Sequence, residues 1–78
     1  MNMKDLYNDS IVRFKKTGNL YKILSSRCEM KNPVTREWMQ AVIYETYKDA
    51  QGREVGEKNV YVREKQEFME RFELVLDL

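Results

Sequence analysis

Glu37 to Tyr47, EWMQAVIYETY, can be laid out either as a helix or as one long strand. Trp, Val, Ile, Tyr and Thr have branched or aromatic side chains that fit a pleated surface better than a helical one, so we read a strand. Its period of two puts Trp38, Gln40, Val42, Tyr44 and Thr46 on one face, and Met39, Ala41, Ile43, Glu45 and Tyr47 on the other. With a strand at its centre, the chain on either side falls into the same pattern. Upstream, Pro33 in Met30–Thr35 cannot donate a ladder hydrogen bond and marks a loop. Leu20 to Ser26 is a strand with apolar residues on both faces, and Arg27 to Glu29 are open as its continuation. Ile11 to Lys16 is a strand joined to it by a tight reversal, Thr17-Gly18-Asn19, where Gly18 and Asn19 tolerate positive φ. Asn8-Asp9-Ser10 is turn chemistry, and residues 1–9 form an N-terminal arm in which Leu6 and Tyr7 can dock.

Downstream, Lys48 to Lys58 is a polar connector with a turn expected at Asp49–Gly52. Asn59 to Arg63 alternates cleanly, and we expect Val60 and Val62 to point inward with Tyr61 and Arg63 outward. Glu64 to Arg71 switches to helix-forming residues and is long enough only for a turn or two plugging the core. Phe72 to Leu76 returns to strand. The expected fold is therefore all-β and mainly antiparallel. Residues 10–78 would form one small five-stranded SH3-like barrel with a short helical turn near 64–71, closure removing the exposed edges. The alternative is α+β, with Glu64 to Leu78 as one C-terminal helix on a four-stranded sheet; Val75 and Leu76 weigh against it.

Composition narrows function by exclusion. With 78 residues there is room for one small domain, and no apolar run is long enough to cross a bilayer as a helix. The start, Met1-Asn2-Met3-Lys4-Asp5, lacks the apolar core of a signal peptide, so a cytoplasmic location is expected. There is no histidine, the commonest general base and metal ligand, and one cysteine, Cys28, which allows neither an internal disulfide nor a cysteine-based zinc site. The acids are interspersed with Lys and Arg as on a solvated surface, and the three glycines form no phosphate-binding loop. These absences argue for a non-enzyme with no cofactor and no metal. A net charge of +1 advertises no polyanionic partner.

Three segments carry a resemblance: Gly18-Asn19-Leu20-Tyr21-Lys22-Ile23-Leu24, Val42-Ile43-Tyr44, and Val60-Tyr61-Val62-Arg63 running on to Glu70. In that order they resemble a family of short bacterial and phage proteins of unknown function with the pattern GxLYxVL…VVYR…LWVRPxxMFxE, over about residues 11–75. The chain departs from it at Glu64, where the family tends to carry proline, and at Glu45, where it tends to carry arginine. The family's histidine near the end of the second strand is also missing, with Cys28 close by. The resemblance implies a small β fold and supplies no activity.

Nine aromatic residues are the informative surplus. Trp38, Tyr47, Tyr61 and Arg63 make a candidate binding face, since aromatic side chains give large contact area at low entropic cost; a second small core is the structural alternative. Arg13, Lys15, Lys16 and Lys22 straddle the first hairpin and are candidate phosphate contacts with Tyr21 beside them, or simply charged edges that resist aggregation. Cys28 suits a small packed side chain, and Glu67 and Glu70 are placed to pair with Arg63 or Arg71. The expected function is a small binding or adaptor module for a protein or peptide, met through the aromatic face or a strand edge. A nucleic-acid or nucleotide binder and a structural homo-oligomer are the alternatives; no membrane partner is expected.

Overall fold

In the computed structural model, which describes residues 6–76, the stretch expected as a long strand is one: β3 spans Trp38–Lys48. The other strands are β1 (Ile11–Phe14), β2 (Leu20–Lys31), β4 (Val60–Glu64) and β5 (Phe72–Leu76), and one helix, α1 (Lys65–Arg71), separates the last two. They form one antiparallel sheet in the order β4-β3-β2-β1-β5. Of the expected arm, residues 1–5 lie outside the described residues. Leu6 is buried in the core, and its carbonyl accepts a 2.7 Å hydrogen bond from the buried Ser26 hydroxyl.

Turn chemistry sets the hairpins. The Phe14 amide donates to the Asn19 carbonyl and the Gly18 amide to the Phe14 carbonyl, with Gly18 at φ +81°. The positive φ favours glycine here, and a Cβ at Gly18 would also lie tightly, 3.2 Å, against the Ala50 Cβ of the β3–β4 connector. At the β2–β3 tip, Asn32 Oδ1 accepts from the Val34 and Thr35 amides, and Pro33 sits where no ladder donor is needed. The imperfect alternation of β2 has a cause: its register against β3 shifts between Ile23 and Ser25 and again before Cys28. Its buried residues, Ile23 and Ser26, are accordingly three apart rather than two.

The core is Leu6, Val12, Ile23, Val42, Tyr44, Phe68 and Phe72, with Phe14, Tyr21 and Leu74 packed against it. Helix α1 is too short to hold itself. The Glu64 carboxylate caps it by accepting from the Gln66 and Glu67 amides, and fully buried Phe68 stacks on Phe72 at 4.2 Å between ring centroids.

Three expectations need correction. The barrel is not closed: β4 and β5 are the two edges of an open sheet, no ladder joins them among the described residues, and α1 spans from one to the other. The alternative single helix over 64–78 is not formed, because Phe72–Leu76 pairs with β1 as a strand. The faces of β4 are also reversed. Val60 and Val62 are 63% and 53% exposed, whereas Tyr61 and Arg63 lie on the core side. The register explains the reversal: Tyr61 stands opposite Tyr44 and Arg63 opposite Val42, and directly opposed residues share a face, so two buried β3 positions fix the side.

Candidate functional site

Because β4 turns Tyr61 and Arg63 inward, aromatic side chains from β1, β2, β3, β4 and β5 meet around one guanidinium. Phe14, Tyr21, Tyr44, Tyr61, Arg63 and Phe72 line a recess of about 120 Å³ open to solvent. Tyr44 and Tyr61 stack with centroids 5.4 Å apart, and Tyr21 meets Tyr44, Tyr61 and Phe72 edge-on at 5.5 to 6.0 Å. Tyr61 is still 41% exposed and forms the rim. The Arg63 guanidinium lies 5.6 Å from the Phe14 ring centroid and 5.7 Å from that of Phe72. It donates through Nε to the Tyr44 hydroxyl at 3.1 Å and through Nη1 to Glu67 Oε1 at 3.0 Å. Arg71 Nε donates to the same Glu67 oxygen at 3.1 Å, so two guanidiniums share one carboxylate.

The electrostatics follow from this crowding. Burial raises the Tyr21 pKa, and the neighbouring Tyr61 and Tyr44 push it further, because a phenolate there would lose solvation and face other phenol oxygens. Burial alone would lower the Arg63 pKa, but its hydrogen bonds and attraction to Tyr44 and Glu67 outweigh that and hold it above its ordinary value. The recess thus contains a permanent cation. Its charge is held beside aromatic ring faces and a shared carboxylate.

Of the proposed binding face, Tyr61 and Arg63 come together here. Trp38 and Tyr47 do not: among the described residues no ring contact links either to Tyr61. Trp38 sits at the far end of β3 with Lys31 Nζ 5.8 Å from its ring centroid, and Tyr47 lies between Lys22 and Lys48. The proposed phosphate contacts separate too. Arg13 pairs with Glu73 at 3.2 Å, and Lys22 covers Tyr47 on the sheet face away from Tyr21. Lys15 and Lys16 are exposed and, with Phe14, Glu70 and Arg71, line a depression that shares Phe14 with the recess. Cys28 is half-buried, and its thiol donates to the Ala41 carbonyl at 3.1 Å. Sequence reasoning missed Tyr44, Phe14 and Phe72 as walls; the β3–β4 register sets Tyr44 opposite Tyr61, and the β1–β5 register sets Phe14 opposite Phe72. The pairing of Glu67 with Arg63 and Arg71 was readable from spacing.

Among the described residues no helix is long and apolar enough to cross a membrane, and no three acidic, cysteine or histidine side chains gather as a metal site would need. No protein-family model, curated protein or solved structure matches the chain.

Proposed function

We propose that this chain is a non-enzymatic recognition module that binds a segment of a protein or peptide at the aromatic recess. The observation that carries the proposal is the convergence of five aromatic rings and one guanidinium on a single solvent-open hollow, between the two edges of the sheet. Rigid aromatic walls with a central cation give contact area and direction at low ordering cost, which is what interface anchors require. An SH3-like description belongs to this proposal, supported by a five-stranded antiparallel sheet whose edges a short helix bridges. A cytoplasmic location and kinship with the short bacterial and phage proteins described above go with it.

Selection from a random peptide display library tests the reading. We expect enrichment of a motif that is lost in Tyr61→Ala and kept in Tyr47→Ala, with cooperative unfolding in both variants. No enrichment, or equal retention by Tyr61→Ala, would contradict it. A second reading, self-association along β4, is favoured by exposed Val60 and Val62 on a strand with one unpaired edge. It requires concentration-dependent sedimentation that Val62→Lys suppresses.

A further inference from the structure

An aromatic hollow normally invites a cation, whose charge is drawn to ring faces. Here that position is already taken by the chain's own Arg63. A second cation would be repelled, so the guest must be of the opposite sign. Of the five N–H groups of the guanidinium, two are engaged, by Tyr44 and Glu67; the remaining three have no acceptor among the described residues. The side chain is 28% exposed, so those donors can be reached from solvent through the recess.

The surroundings add to the charge. Arg63 and Arg71 share Glu67, and the adjoining depression sets Lys15, Lys16 and Arg71 against Glu70. Across both hollows four cations face two carboxylates. We propose that the recess receives the side-chain carboxylate of a Glu or Asp in a partner polypeptide, on the free Arg63 donors, with the partner's neighbouring apolar residue against Tyr61. This deepens the recognition reading and rests on it. A planar carboxylate matches two parallel N–H groups of a guanidinium, and a recess of about 120 Å³ suits a side chain of that size. Lys15 and Lys16 in the adjoining depression favour a segment with more than one acid over a lone chain terminus. A nucleic acid is disfavoured because Tyr44 and Tyr61 stack on each other rather than offering paired free faces to bases.

The test is ¹⁵N NMR of the full chain at low salt, following Arg63 Nε–H and the Tyr61 amide. The probes are an acetylated, amidated peptide of alternating glutamate and leucine, its glutamine counterpart, and a deoxythymidine oligonucleotide. We expect the glutamate peptide to shift both signals and to bind about tenfold or more tightly than the glutamine peptide, as charged hydrogen bonds should. Added salt should narrow that gap, and Arg63→Gln should erase it. Arg63→Lys keeps the charge without the fork and should narrow it too, which covers the case of a poorly folded Gln variant. Equal affinity for both peptides would overturn the carboxylate assignment while leaving the recess as a recognition site. Tighter binding of the oligonucleotide, or no shift with either peptide, would also overturn it; the display selection decides the recognition reading separately.

Discussion

Arg63 is held by Tyr44, Glu67 and the rings of Phe14 and Phe72, and Tyr44, whose hydroxyl accepts from it, is itself a core residue. Tyr44→Phe keeps the ring contacts and removes only that acceptor. We expect it to lower stability by about 1 kcal/mol in urea unfolding, with an unchanged slope. Tyr21 gives a pH test. Its folded pKa is raised, so the neutral form is favoured by folding: the contribution is complete below the ordinary phenol pKa of about 10 and is lost as pH rises through the folded value. Stability should therefore fall more steeply above pH of about 10 in the native chain than in Tyr21→Phe. Parallel curves in chemical denaturation would contradict the burial of this hydroxyl. At this scale the sequence was informative about local pairs. Glu67 lies four residues from both Arg63 and Arg71, a spacing that brings side chains together along a helix and its flank. The bond from Arg63 to Tyr44 spans 19 residues and depends on strand register, which composition and spacing do not encode.

Helix α1 shows how a short element is stabilised from outside itself. Its cap and its one buried ring do different work, and two substitutions separate them. Glu64→Ala removes the acceptor for two amides and should cost about 1 kcal/mol. Phe68→Ala opens a void against Phe72 and Tyr44 and should cost about 3–5 kcal/mol, enough to unfold most of a chain this small, as circular dichroism melting would report. The strands and this helix were legible because residue type changes sharply at Glu64 and at Phe72. The orientation of β4 was not. Alternation in Asn59–Arg63 separates two faces without saying which is inner, and valine is the usual choice for the inner one. Pairing with the buried Val42 and Tyr44 of β3 overrides that preference, leaving the valines of β4 outside. β2 was half legible: apolar residues on both faces signalled irregularity, but not the three register shifts against β3.

At the scale of the whole molecule, a sheet expected to close stays open, and the helix that bridges its edges leaves the aromatic recess between them. Strand count and order of elements followed from the sequence; closure did not, because it turns on whether two edge strands touch across a helix. Both consequences drawn above, a guest in the recess and an exposed valine edge, depend on β4 facing as it does. The most direct measurement is a NOESY spectrum of the isotope-labelled chain. The expected result is cross-peaks from the Tyr61 ring to those of Tyr21 and Tyr44, and from Arg63 to Phe14 and Phe72. Cross-peaks from the Val60 and Val62 methyls to Phe68 or Phe72, with Tyr61 free of ring contacts, would contradict it and remove the recess.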